Sequence, residues 1–597
     1  MKLLNVKNKL NELSCRQKNI ILFLSIVLFN IVLMIISLYN KQAYFGTVDD
    51  SRMRDIASGA MTGEPNGRLI FILYPLGFLI SLMYRLIPNV PWYLVFMIGS
   101  MIISLSLVLY RCIRNVKALK KIILLIAIYL VMYILYFKQL IIYPQFTTTA
   151  AILGSVSIFW YATSEKQVSL PRMIKDISII ISLFMMCYLY RYKVAEMMVP
   201  LLVIIFLVKN YGEFKKKETK IYNISIGGIL LFLVIISRFI DNFMYSTVEY
   251  KEYRDFNRAR SYINDYYKMP DYYENIDLYN EAEISYEQYS AITKYSILLV
   301  EDIPIESLNK IIEFQKNKIF NDPIESIKRT IVNYISTYDG FVTFKWQPFF
   351  LLIMTAILLI YFIFNRKIKL LLYLGATIAM AICGSFYFIY TLRFPQRLAE
   401  SVWLSNAIFV IYCLSTVLCE MNMDYSEFKE KFKNYSIKKK SILLLTVFMS
   451  VGIGIYSCIR NGRGLTTRYE LTNMGSVDYV YMMDYARKNK DNFYYYYVYS
   501  FSEASDTFGI ENETELLSWT SLGGWLTRSP LLNEKYERYG FESTEDALLN
   551  HDNVYIAATE VPQFLVEYFG TVYPEYELVV SEEVNNGRIL LLSLKKR

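Results

Sequence analysis

Twelve apolar runs constrain this chain more than any other feature. They lie at about 19–39, 69–87, 92–110, 121–140, 147–162, 175–190, 195–208, 221–240, 347–364, 369–391, 401–420 and 441–458. A helix of about twenty apolar residues spans the roughly 30 Å hydrocarbon layer of a bilayer. With 54% of its 597 residues hydrophobic, the chain places much of its mass in lipid rather than around a water-soluble core. Lys2, Lys7, Lys9, Arg16 and Lys18 precede or open the first run, and no small-residue cleavage site follows it, so an uncleaved first span is expected.

Charge sorts the runs by side. If all twelve crossed, the loop holding Arg111, Arg114, Lys117, Lys120 and Lys121 would face outward, against the positive-inside rule. The run 69–87 contains Pro75 and Gly77, is flanked by Arg68 and Arg85, and is followed by Pro88 and Pro91. Laid as a juxtamembrane or re-entrant helix, it lets the basic loops at 111–121, 165–175, 209–220, 366–369 and 429–440 all face inward. The fold class expected is therefore a polytopic α-helical membrane protein with about eleven transmembrane helices. Its N-terminus is inside, its C-terminus is outside, and it has outer juxtamembrane helices. Trp92, Trp346 and Trp403 would mark the outer interface and Trp160 the inner one.

Residues 1–458 form the transmembrane domain, with a first outer loop at 40–91 and a large outer loop at 241–346. The large loop has helical-looking stretches at Ser285–Leu299, Ile305–Ile319 and Pro323–Tyr338. Residues 459–597 read as a C-terminal extracytoplasmic α/β domain, with strand-like runs Tyr494–Tyr499, Val554–Ala557, Tyr576–Val580 and Ile589–Leu594.

The net charge of +9 falls in short loops between apolar runs, which fits a membrane's inner face and not nucleic acid. The seven cysteines lie in or beside apolar runs, with no metal-ligand spacing. A single histidine, His551, argues against Ser-His-Asp chemistry and a histidine-rich metal centre. Acid–base work falls to carboxylates, tyrosines or lysines. No cofactor is required, and a divalent ion is left open.

Just after the first span come the adjacent carboxylates Asp49 and Asp50, in the stretch Gly46–Arg68. An acidic pair at the outer mouth of the first span of a many-span protein resembles the GT-C fold membrane glycosyltransferases, which use polyprenyl-phosphate sugars. The family often has Asp-Glu where this chain has Asp-Asp. The resemblance covers roughly residues 19–400 in layout and implies that Asp49 or Asp50 is the catalytic base. It also implies plasma-membrane localisation, an extracytoplasmic active face, a polyprenyl-phosphate-linked sugar donor and a cell-envelope acceptor.

The chemistry asks for matching residues. A base takes the acceptor's proton, and cations stabilise the departing phosphate. Arg191, Lys193, Arg393 and Arg397 interrupt apolar runs on the outer side and are candidates for the phosphate. Gln145, Glu196, Asn257, Arg258, Asp265 and Glu400 are candidates for an acceptor or substrate surface. Plainer readings stand beside these. Asp49 and Asp50 could cap a short helix Ser51–Met61, Arg191 and Lys193 could be snorkelling anchors, and the Tyr-rich segment 250–267 could be ordinary packing. The rival functions are a surface-polysaccharide polymerase or ligase, which needs no acidic pair, and a lipid-linked sugar transporter or flippase, which should show paired broken helices.

Overall fold

The computed structural model describes residues 14–39, 43–114, 116, 118–165, 169–340, 347–420, 477–501, 507 and 517–597. Within them, eight helices are long and apolar enough to cross a membrane. They are Arg16–Leu38, Trp92–Ile113, Leu119–Ile142, Leu170–Tyr190, Lys217–Met244, Gln347–Phe364, Ile368–Tyr390 and Gln396–Glu420. The apolar run 441–458 and Trp346 lie outside the described residues.

Two further helices, Phe146–Thr163 and Tyr192–Asn210, pack among these. Phe146–Thr163 is the keystone. Its faces are nearly all buried, against Trp92–Ile113, Leu170–Tyr190, Tyr192–Asn210 and Gln396–Glu420. Small residues such as Ala150, Ala151, Gly154 and Ser155 let neighbouring backbones approach closely, as lipid-embedded helices require. Polar ties are spent inside the bundle. Asn30 donates to Ser106 at 3.1 Å and accepts from Tyr129 at 2.6 Å, and Asn406 bridges Thr355 and Thr377. Apolar side chains face outward instead: Leu28 is 62% exposed and Phe239 70%. A water-soluble surface would not carry such a continuous apolar face.

The run 69–87 forms a helix only at Tyr74–Leu86, 13 residues or about 20 Å, too short to span the hydrocarbon layer. Its first amide, Tyr74 N–H, donates to the buried Asp241 carboxylate at 3.0 Å, and Asp241 also pairs with Arg254 at 3.0 Å. Trp403 is 1% exposed inside the bundle and so does not sit in an interfacial belt. Trp160 is likewise buried, donating to Asp176 at 2.8 Å beneath Arg111.

The C-terminal segment contains a five-stranded sheet: β1 Phe493–Tyr496, β2 Trp519–Ser521, β3 Val554–Ala558, β4 Tyr576–Val584 and β5 Ile589–Lys596. The order is β2-β1-β3-β5-β4, with β1 parallel to β2 and β3, and β5 antiparallel to β3 and β4. All four residues of β1 are buried, as a central strand covered on both faces should be. The short strand β2 carries no run of alternating residues long enough to read from sequence.

The large loop and the sheet share one apolar core, in which Phe256, Ile292, Ile297 and Leu308 pack with Phe493, Leu532, Ile556 and Leu565. Leu298 N–H donates to the Leu522 carbonyl at 2.9 Å. Gly523 lies so close to the Tyr295 carbonyl that any Cβ there would collide with it. The large loop forms helices at Tyr286–Thr293, Ile305–Phe320 and Pro323–Gly340. The first opens on a Ser285/Gln288 capping box.

Candidate functional site

The acidic pair sits in a helix, Val48–Ser58, but it does not cap that helix. Thr47 occupies the N-cap position, and Asp49 and Asp50 lie in the first turn of a helix that starts three residues before the expected Ser51. The two carboxylates have different environments. Asp50 is fully buried. Its Oδ1 accepts from the Tyr93 hydroxyl at 2.9 Å and from Phe146 N–H at 3.0 Å, and its Oδ2 accepts from Thr47 at 3.0 Å. Phe146 is the first residue of the keystone helix, so Asp50 caps that helix from another part of the chain. Burial pushes the Asp50 carboxyl up to about 7, against the lowering effect of its three donors and with a smaller upward push from Asp49.

Asp49 is half-buried, and among the described residues its carboxylate has no hydrogen bond or ion pair. It lies within electrostatic reach of Arg191 and Arg260. The helix is pinned by close backbone approach. Gly46 N–H donates to the Pro144 carbonyl at 3.0 Å, and a Cβ on Gly46 would press on the Tyr143 carbonyl at 3.2 Å and Gln145 Cβ at 3.3 Å. Gln145, 3% exposed, reaches back to Thr47 at 3.3 Å.

Beside this turn opens a cavity of about 1000 Å³ between the helices Tyr192–Asn210 and Ile368–Tyr390. Much of its wall is apolar, with Met197, Leu201, Ile204, Ala376, Met380 and Phe388 among the lining residues. Five cations also line it: Arg191, Lys193, Arg393, Arg397 and Lys316. Tyr262, Tyr266 and Tyr267 overhang it from a π-helical turn, Tyr262–Tyr267, of the kind that often marks functional positions.

The four cations expected from the sequence differ in what they already hold. The Arg191 guanidinium lies 5.2 Å from the centres of both the Phe71 and Phe146 rings. Among the described residues it has no hydrogen bond or ion pair. Burial, then repulsion from Arg397, lowers it to about 10, so it remains charged at neutral pH. Arg397 is also without a side-chain partner among the described residues. Arg393 pairs with Asp265 at 3.1 Å and lies 4.7 Å from the Tyr266 ring centre. Lys193 pairs with Glu196 at 3.0 Å, and both side chains are more than half exposed, which fits the plainer anchoring reading.

Arg397 and Pro395 also border a second, smaller pocket of about 200 Å³. Its other walls include Thr47, Gln139, Gln145, Gln396 and Glu400, and the Gln139 amide donates to Glu400 at 3.3 Å. Gln145 and Glu400 are thus brought to one pocket and Glu196 to the other, where Asp265 pairs with the lining residue Arg393. Asn257 accepts from Arg260 at 3.0 Å, away from both pockets. Arg258 is 73% exposed beside Asp255 and joins neither.

Sequence reasoning missed Arg260 and the two glutamines Gln139 and Gln396. Arg260 is 8% exposed and lowered chiefly by burial. It lies in the Tyr- and Arg-rich segment already singled out, but nothing local separates it from Arg258. Gln139 sits inside an apolar run, and that was its one signal. Compared with known proteins, the chain matches no family model, no curated protein and no solved structure.

Proposed function

We propose that the protein is a polytopic plasma-membrane glycosyltransferase of GT-C type. It would have about eleven spans, the N-terminus inside and the C-terminus and active face extracytoplasmic. It transfers a sugar from a polyprenyl-phosphate carrier to a cell-envelope acceptor. The observation that carries this reading is the cavity itself: a largely apolar slot between two helices, lined by Arg191 and Arg397, which hold no hydrogen bond or ion pair among the described residues, and near Asp49, whose carboxylate likewise holds none among them. An isoprenoid tail fits the slot and a phosphate fits Arg191 and Arg397, since guanidinium presents paired donors to phosphate oxygens.

Asp49 is the base. The acceptor hydroxyl gives its proton to the Asp49 carboxylate while its oxygen attacks the anomeric carbon. The bond from that carbon to the phosphate oxygen breaks, and the electron pair leaves on the phosphate. Arg191 and Arg397 stabilise the charge that develops there. One displacement inverts the anomeric centre. Asp50 holds the Asp49 turn against the keystone helix and touches no substrate.

The test is sugar transfer in membranes supplied with labelled polyprenyl-phosphate sugars. Asp49→Asn is expected to abolish transfer while donor binding persists, and Arg191→Gln with Arg397→Gln to weaken donor binding. Lys193→Gln should leave both nearly unchanged. Full transfer by Asp49→Asn would remove the glycosyltransferase reading and favour a polymerase or ligase working through the arginines.

A further inference from the structure

A third concavity lies away from the bundle, where the large loop meets the C-terminal segment. It is an open cleft of about 530 Å³, the size of a small-ligand site, between the helices Tyr286–Thr293 and Gln563–Val572. Four tyrosines wall it: Tyr272, Tyr279, Tyr568 and Tyr573. They are held in place rather than free to collapse. Tyr568 donates to the Leu299 carbonyl at 2.8 Å, Tyr279 to the Pro270 carbonyl at 2.5 Å, and the Tyr272 and Tyr279 rings stack 4.7 Å apart.

Four carboxylates also line it, Glu283, Glu287, Asp302 and Glu545, and no Lys, Arg or His does. Among the described residues none of the four is in an ion pair. In a chain of net charge +9 this is a local field of opposite sign. Among the described residues no three carboxylates or other ligands converge closely enough to hold a metal ion. The negative charge is spread along the walls, which suits an extended organic cation.

From this geometry we propose that the cleft binds a short glycan segment carrying ammonium groups. Flat tyrosine faces take up the apolar faces of sugar rings, and their π-systems attract a nearby ammonium. The carboxylates pair with the ammonium groups and select them over acetylated nitrogen. The cleft is formed jointly by the large loop and the C-terminal segment, which gives the C-terminal segment a role in holding a polymer apart from the reaction centre. This proposal does not depend on sugar transfer.

The test is calorimetric titration of the full-length protein in lipid nanodiscs, at mildly acidic pH, with a tetramer of glucosamine, its N-acetylated counterpart and tetralysine. The glucosamine tetramer is expected to bind, more weakly as salt rises. The exposed or half-exposed pair Glu287→Gln with Asp302→Asn should weaken binding by about tenfold, two partly exposed ion pairs' worth. Tyr272→Leu should also weaken it, and unchanged unfolding behaviour would show that each variant is folded. Equal binding of the N-acetylated tetramer would overturn the proposal. So would tetralysine binding as tightly as the glucosamine tetramer, or full binding by the folded double variant.

Discussion

Replacing Asp50 by alanine should cost the protein several kcal/mol, whereas replacing its neighbour Asp49 should cost almost nothing. The Asp50 carboxylate is the shared acceptor of two fully buried donors, the Tyr93 hydroxyl and the Phe146 amide, and of the half-buried Thr47 hydroxyl. Alanine leaves the first two unpaired and out of reach of water. At about 1–3 kcal/mol for each stranded buried group, the loss is roughly 2–6 kcal/mol. Thr47 can turn to solvent and adds little. Asparagine is a different perturbation, because its Oδ1 keeps both buried donors and its amide can face the Thr47 oxygen, for a cost of about 1 kcal/mol or less. Asp49 has no hydrogen bond to lose among the described residues, so Asp49→Ala should fall within about 0.5 kcal/mol of wild type. The assay is equilibrium unfolding by titrating SDS into detergent micelles. Asp50→Ala as stable as wild type would refute the assignment of Asp50 as the clamp, and so would Asp49→Ala destabilised to the same extent.

The same carboxyl makes stability depend on pH. With Asp50 raised from 3.8 to about 7, the folded state binds more protons than the unfolded state between these values. Stability from this group is therefore full below about pH 4 and is lost as pH rises through 7, by on the order of 4 kcal/mol at most. Unfolding titrations across this range should show the decline in wild type and its disappearance in Asp50→Asn. At the junction of loop and sheet, Gly523→Ala should destabilise by about 1–3 kcal/mol, because the new methyl meets the fixed Tyr295 carbonyl. Gly570→Ala, which meets nothing within 4 Å, should be neutral or mildly stabilising in the same assay.

Much of the build was legible because lipid imposes a simple rule. Backbone groups must be satisfied within each segment, so long apolar runs became helices almost at the expected bounds, as with 369–391 and the helix Ile368–Tyr390. Strong local signals fared equally well: β3 and β4 begin where the strand pattern does. The acidic pair and the arginines that break apolar runs were visible for the same reason, since an ionisable residue in such a setting is costly. Tertiary structure alone could tell the two aspartates apart. They are neighbours of identical chemistry in one turn, and only the approach of Tyr93 and the Phe146 amide commits Asp50 to holding the fold while Asp49 is left uncommitted. It alone also brought Arg191 and Arg397, far apart in the chain, to the wall of one cavity, and joined the large loop and the sheet in a common core. Periodicity reports what each segment must bury, whereas the partner it is buried against is chosen by packing among all segments at once.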